Sequence, residues 1–510
     1  MATRRDQLQS YQFLLQRVVS ALVYRKTDPA NSPFRKAGGA VFAGVMLSIL
    51  ALAVTAVIQI FTGAWKDTKW YDGGRIIMEE ETGAQYVVFP TTDHLKALQD
   101  QGYHYEQLLY PVANFASAAL LAGTTEVVEV SRESLAGEGL ESKVPSRGMM
   151  VGIPGLPDSL PTPEELLKPG WAVCSNPTED EGATSVLYVG VTVGGDLVPN
   201  VTDPAQPGQA LLLSDPGDDT IYLVWNGYKH KLVDPDMGLA ILNTGDPLDV
   251  APAVLKAIPS GADFAAPAIA KVGDTSSAVA GTTIGDVYRT TNPANTQFHV
   301  ILDNGPARIS EVQAELITRT HDTEILDGEV GAVPDANQNA FLPDRSDKKQ
   351  LAQALPQQIP QLAPSWDPTA PVCVNYTSAT DPTQIVINAD DPGTKGVATQ
   401  QVSNDKNTYA DRIVIPPGGA MLVQTGQGAG ARGLITSEGC LFLFTSPTGG
   451  EQDKMTMAVG GVPGIQAVGY HETKPVTIPS ELEALIPPGP AFDAVAAANT
   501  TVLGVTDAGK

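Results

Sequence analysis

From Ala37 to Trp65 the chain carries no charged side chain, and the 21-residue run Val41–Phe61 within it is almost wholly apolar. As a helix rising ~1.5 Å per residue that run spans about 31 Å, the thickness of a bilayer's hydrocarbon core. Before it, Leu8, Tyr11, Leu15, Val18, Val19 and Leu22 recur at spacings of three and four, with Gln7, Gln16, Arg17 and Ser20 on the other face. This pattern predicts an amphipathic helix. Beyond the run the pattern changes to short strand-like segments: Tyr86–Phe89, Val186–Val193, Ala210–Leu213, Ile221–Trp225, Gln384–Asn388, Ala420–Gln424 and Leu441–Phe444. Asp-Pro, Pro-Gly and Gly-Gly turns bound them. The expected fold class is therefore α+β, with a single N-terminal transmembrane helix and an elongated exported region.

Charge sets the expected orientation. Residues 1–36 hold seven Lys/Arg against two Asp, a net +5, so the remainder carries −30 and the whole chain −25. Arg35 and Lys36 directly precede the apolar run, so the N-terminus is expected in the cytoplasm and Asp67–Lys510 outside the inner (cell) membrane, a single-pass periplasmic arrangement. A cleaved signal peptide has a shorter apolar stretch and a small-residue cleavage site. The only Ala-x-Ala in the run, Ala51-Leu52-Ala53, lies at its middle, so an uncleaved anchor is expected, with Val41, Leu47, Leu50, Leu52, Ile58 and Phe61 as anchor residues. Trp65, Trp70 and Tyr71 suit the outer headgroup region. The acidic balance argues against nucleic acid, whose binding depends on Lys/Arg displacing counterions.

The exported part matches itself at an offset of 228: Pro247-Leu248-Asp249-Val250 recurs as Pro475-Val476-Thr477-Ile478, and Ile258-Pro259-Ser260-Gly261-x-x-Phe264 as Ile486-Pro487-Pro488-Gly489-x-x-Phe492. Each copy is taken to follow one strand pattern, Ile221–Trp225 in the first and Leu441–Phe444 in the second. Looser copies around Tyr86–Pro154 and Asp286–Ile317 bring the expectation to four strand-helix repeats around a split β-rich central domain. The expected segments are 1–36 (cytoplasmic basic amphipathic helix), 37–65 (transmembrane helix), 66–167 (repeat 1), 168–218 (first half of the central β domain), 219–270 (repeat 2), 271–354 (repeat 3), 355–435 (linker and second half), 436–492 (repeat 4) and 493–510 (flexible tail). The two halves of the central domain begin alike, with Trp171-Ala172-Val173-Cys174 and with Trp366 followed by Pro371-Val372-Cys373-Val374. Equivalent placement and an oxidising location pair Cys174 with Cys373 as a structural disulfide, and leave Cys440 as a buried, inert thiol.

Taken together, the basic Tyr11-x-Phe13-Leu14 helix with Ala21-Leu22-Val23, the single anchor, Tyr110-Pro111-Val112-x-Asn114-x-x-Ser117-Ala118, Gly152-Ile153-Pro154-Gly155-x-Pro157 and Trp171-x-Val173-Cys174 resemble the EccB family of type VII (ESX) secretion systems. The resemblance spans nearly the whole chain. It departs at Gln12 and Gln16, where basic residues are usual, and in the long loop Thr92–Gln107. It implies an actinobacterial inner-membrane complex with EccC-like ATPase, EccD-like and EccE-like subunits, and self-association through the exported domain. Leu8, Tyr11, Phe13, Leu14, Arg17, Val18 and Leu22 are then the candidate cytoplasmic docking residues. A second reading of that helix places it flat on the lipid bilayer.

Catalytic chemistry is sparse. Gly504-x4-Gly509-Lys510 has the spacing of a phosphate-binding loop but no Ser/Thr after the Lys, so it is expected to be coincidental. The six histidines (94, 104, 230, 299, 321, 471) make no His-x-x-x-His, so no metal is expected, and His230 between Lys229 and Lys231 is expected at the surface. Asp218-Asp219 and Asp390-Asp391 flank Pro-Gly turns and read as turn caps. No cofactor and no catalytic residue is expected. The chain reads as a structural, non-enzymatic secretion subunit; the alternatives are a membrane-tethered exported hydrolase and a peptidoglycan-binding module.

Overall fold

A computed structural model describes residues 4–25, 33–62, 70–88, 108–136, 148–177, 183–201, 207–244, 247–292, 295–363, 367, 369–390, 396–399, 409–426, 430–444 and 463–499. The chain divides into two compact units, Met1–Trp70 and Tyr71–Lys510. The first contains helices α1 (Arg4–Tyr24) and α2 (Pro33–Thr62). α2 begins before the apolar run because proline, with its fixed φ and missing N–H, fits the first turn of a helix. Its segment Gly38–Val57 is long and apolar enough to cross a membrane, and none of it is buried inside the protein.

Among the described residues the second unit holds one seven-stranded sheet and four smaller sheets that share one four-strand order, three of them four-stranded and the second extended to five strands. In the first sheet β1 (Ile76–Glu79), β2 (Gln85–Val88) and β3 (Leu109–Val112) pair antiparallel. Helix α3 (Phe115–Ala122) then crosses back, and β4 (Val127–Val130) adds parallel to β1, before the short α4 (Arg132–Leu135). The chain next enters the central sheet with β5 (Trp171–Pro177), β6 (Ala183–Val189) and β7 (Asp196–Val198). The second of the smaller sheets follows: β8 (Gln209–Asp215), β9 (Thr220–Trp225), β10 (Tyr228–Lys231), α5 (Pro235–Leu242), and β11 (Leu248–Asp249) parallel to β8, trailed by α6 (Pro252–Ala257). The third has β12 (Val287–Asn292), β13 (Asn295–Leu302), β14 (Gly305–Ile309), α7 (Glu311–His321) and β15 (Ile325–Asp327) parallel to β12. After α8 (Lys348–Gln353), β16 (Gln361–Leu362) adds beside β8. The central sheet is completed by β17 (Val372–Tyr376), β18 (Gln384–Ile387), β19 (Val397–Ala398) and β20 (Arg412–Val414), in the order β19-β20-β6-β5-β17-β18-β7. The fourth sheet has β21 (Ala420–Gln424), β22 (Arg432–Thr436), β23 (Leu441–Leu443), α9 (Gly464–Ala467) and β24 (Val476–Thr477), then α10 (Ser480–Glu483) and α11 (Ala494–Asn499).

The crossover helices follow from local chemistry. Asp234 and Ser310 cap α5 and α7, accepting from the N–H groups of Met237 and Gln313, and the Ser310 N–H donates in turn to the Gln313 side-chain oxygen. Such caps satisfy donors that a helix leaves unpaired at its start. Val312, Leu316 and Ile317 give α7 an apolar stripe, all buried. The motif repeated at 228 is a clasp on the outer edge of the third strand. Lys229 N–H donates to the Pro259 carbonyl, Gly261 N–H to that of Lys229, and Phe264 N–H to that of Lys231, at 2.8–2.9 Å. In the fourth sheet Leu441, Gly489 and Phe492 N–H groups bond the carbonyls of Pro487, Leu441 and Leu443 at 2.9–3.0 Å. Both glycines lie against a ring, Gly261 on His230 and Gly489 on Phe442, where a Cβ would collide. An exposed edge is thereby covered in each case.

Three expectations need correction. Ala210–Leu213 and Ala420–Gln424 do not belong to the central domain: they lie in β8 and β21 of the second and fourth sheets, each paired with the strand that follows it. Each pairs across a short connection with the next strand, a local closure of low entropic cost. Ile221–Trp225 and Leu441–Phe444 are not equivalent either. The first is a middle strand and the second forms the third strand, because period-two alternation identifies a strand but not its place. Finally, residues 493–499 are no tail. Asp493 is buried, and α11 inserts Ala494, Ala497 and Ala498 into a core shared by the first and fourth sheets. Trp366, the loop Thr92–Gln107 and residues 500–510 lie outside the described residues.

The packing joins distant segments. One core unites Ile76, Val87 and α3 with Leu422, Leu434, Phe442, Phe492 and α11. A second buries one face of the central sheet, Trp171, Val173, Leu187 and Val374, under α6 and residues 478–486. A third packs α7 of the third sheet on the second sheet through Val312, Leu316, Leu223 and Trp225. Cys174 lies directly opposite Cys373 in the β5–β17 ladder, and the two are joined as a disulfide with Cα atoms 4.0 Å apart.

Because the bridge joins positions 199 residues apart, Cys174→Ala should lower the stability of the 71–510 unit by roughly 2–4 kcal/mol; an unchanged urea midpoint would contradict this. Ala497→Asp puts an unpaired carboxylate into a fully buried site and should cost at least about 2 kcal/mol. Protease cleavage within 76–156 should rise with it, since α11 and α3 share a core.

Candidate functional site

In α1, Leu8, Tyr11, Phe13, Leu14, Val18 and Leu22 are all exposed. The Arg17 guanidinium sits 5.9 Å from the centroid of the Phe13 ring, a cation–π placement that leaves its charge outward. A helix with so many solvent-facing apolar residues has a surface that some other phase or partner must cover. In α2, Val41, Leu47, Leu50 and Leu52 are likewise exposed, while the side chains of Ile58 and Phe61 lie outside the described residues.

The two turn motifs of the first repeat prove to be one device. Asn114 caps α3, accepting from Ser117 N–H at 2.9 Å, while its Nδ2 donates to the Ile153 carbonyl at 2.9 Å. Ser117 Oγ in turn accepts from the Ile153 N–H at 2.9 Å. Asn-x-x-Ser thus satisfies both backbone groups of the Ile in Gly-Ile-Pro-Gly, inside the core, where unpaired polar groups would be costly. Nothing in the spacing of the two motifs, 39 positions apart, indicates this.

The candidate chemistry disperses. His94, His104 and the Gly504–Lys510 loop fall outside the described residues. Among the described residues no three His, Cys, Asp or Glu gather as a metal site would require. Asp218 accepts from Thr220 N–H at 3.0 Å and serves its own turn. Cys440 is half-buried; burial first and Glu438 second push its thiol pKa up, which leaves it a poor nucleophile.

His230 corrects the surface expectation, for it is fully buried. On β10 it alternates with Lys229 and Lys231, so the neighbouring lysines point away from it. Its Nδ1 lies 2.7 Å from the Ala262 carbonyl, and its Nε2 has no partner among the described residues. Burial holds its pKa down to about 4. Glycine at 261, two residues along the clasp, was the available signal, since the imidazole occupies the space of its missing Cβ.

The folded state therefore binds this proton less readily than the unfolded chain. Stability from neutral His230 is complete above pH 6.5 and is lost as pH falls toward about 4, amounting to on the order of 3 kcal/mol. Unfolding of the wild-type chain should steepen over that window, and His230→Phe should flatten the dependence; parallel pH profiles would refute the assignment.

Comparison with known proteins accounts for the arrangement. The family model described as type VII secretion system ESX-1, transport TM domain B, matches residues 1–502. The chain is 24% identical over 379 residues to the ESX-1 secretion system ATPase EccB1 of Mycolicibacterium smegmatis, covering 71% of this chain and 72% of that relative. In fold it is similar to a chain of an intact ESX-5 inner membrane complex, with a TM-score of 0.60, 20% identity and coverage of 98% and 95%. It is also similar to the EccB3 dimer of the ESX-3 core complex, with a TM-score of 0.53, 17% identity and coverage of 84% and 100%. An apolar N-terminal span, four like sheets about a disulfide-bridged centre, and a family match running almost end to end establish that this chain belongs to the EccB family of type VII secretion systems.

Proposed function

We propose that the chain is a structural, non-enzymatic subunit of a type VII secretion complex in the inner membrane. The observation that carries this is the family match over residues 1–502, which takes in the apolar span and the sheet-built unit alike. α2 anchors the chain in the bilayer. The exposed apolar residues of α1, with Arg17, dock on the cytoplasmic side against an EccC-like ATPase and EccD-like and EccE-like membrane subunits. Outside the membrane the sheet-built unit associates with further copies of itself, in keeping with solved relatives described as an EccB3 dimer and a periplasmic assembly. Four sheets of one topology offer extended surfaces for such contacts. The ATPase in relatives' names then belongs to the machine, with ATP turned over by the EccC-like partner.

Affinity purification of the full-length chain from its own membranes in mild detergent should recover a megadalton-scale assembly containing an FtsK-like ATPase and a multi-spanning subunit. Deleting residues 1–24 should release the chain from it without unfolding the 71–510 unit. Isolated chain should show no ATP hydrolysis above background, and Lys510→Ala should leave the rate of the assembly unchanged. Recovery as a lone monomer from cells that express the partners would overturn the assignment.

A further inference from the structure

The β12–β13 hairpin extends past the end of β14, whose pairing with β13 stops at Phe298↔Ile309. The overhang, with β15 and the segment from Asn339 to Gln358, encloses a groove of about 1380 Å³. That exceeds the roughly 300–1,000 Å³ of clefts that hold single small molecules. A neighbouring cavity of about 750 Å³ shares Ser310, Leu342, Pro343 and Gln357 with it, so the concavity continues toward the second sheet.

The lining has a distinctive balance. Arg289, Arg308 and Arg345 are matched by Glu311, Asp327 and Glu329, so the groove is neutral on a chain that carries −25. Arg289 and Asp327 close on each other as a two-pronged pair, Nε to Oδ1 at 2.8 Å and Nη2 to Oδ2 at 3.0 Å. A charged polymer therefore meets no net complement here. Between the charges stand Thr291, Thr296, Gln297, Asn339, Gln357 and Gln358, whose side chains make no hydrogen bond among the described residues. Hydroxyl and amide groups both donate and accept, which is the hydrogen-bonding character of a sugar hydroxyl or an acetamido group. Phe298 and Leu342 supply apolar surface within the same groove, suited to the C–H face of a pyranose ring.

From this we propose that the groove of the third sheet binds an uncharged oligosaccharide in extended form, a role separate from assembly of the secretion complex. The probe is the β-1,4-linked hexamer of N-acetylglucosamine, titrated against the full chain in nanodiscs, since maltoside detergents would present competing sugar. Binding is expected, and the double substitution Gln297→Ala with Asn339→Ala should weaken it by tenfold or more, at roughly three- to tenfold per lost hydrogen bond. Both positions are on the groove surface, so an unchanged melting curve should accompany the loss. Retention of the chain on insoluble chitin with the same sensitivity identifies a polymer strand as ligand; hexamer binding without retention identifies free oligosaccharide. No binding at millimolar hexamer, binding that the double variant leaves unaltered, or stronger binding of a sulfated glycan or an extended peptide would overturn the proposal.

Discussion

The second unit depends on the pairing of β5 with β17, which brings together residues 199 apart and sets Cys174 opposite Cys373. Loop closure over such a distance is entropically unfavourable, and the covalent bridge removes much of that freedom from the unfolded chain as well. Both faces of the ladder are buried: Trp171 and Val173 face one core, and Ala172 and Cys174 the other. A strand pair apolar on both faces is stable only when covered on both, so the pairing dictates that sheets gather around it. The relation between the halves is close to a twofold one, with β6 flanking β5 as β18 flanks β17.

The four smaller sheets solve a common problem by a common topology. A crossover helix places the fourth strand beside the first, which protects one edge, and in the first, second and fourth sheets a later segment covers the third strand. The second and fourth use the same Ile-Pro-x-Gly clasp. Proline cannot donate to the ladder but its carbonyl accepts, and glycine admits the ring beneath, so the motif reads as a statement of which backbone groups are used. His230 shows the consequence: a residue flanked by lysines is drawn into the core because the clasp closes over it.

The two units present surfaces of different chemistry. The first unit offers apolar helix faces that a bilayer or partner must cover. The second offers sheet-built faces and a polar groove whose balanced charges distinguish it from the acidic remainder. These are separate by chemistry: burial of apolar area drives the former, hydrogen-bond exchange with water governs the latter.

The anchor, the N-terminal helix, the strands and the repeated Ile-Pro-x-Gly motif were legible along the chain, because each depends on residues at fixed short spacing: an unbroken apolar run, an i, i+3, i+4 stripe, alternation, or a copied motif. The cysteine pair was legible through equivalent placement. What the residues could not state was partnership. The assignment of Ala210–Leu213 and Ala420–Gln424 to the outer sheets, the burial of His230, the grip of Asn114 and Ser117 on Ile153, the insertion of α11 against α3 and the groove under the β12–β13 overhang all join groups distant in sequence. Such contacts are settled by competition among alternative pairings, in which loop entropy, burial and hydrogen-bond satisfaction are summed over the whole chain, and no local pattern carries that sum.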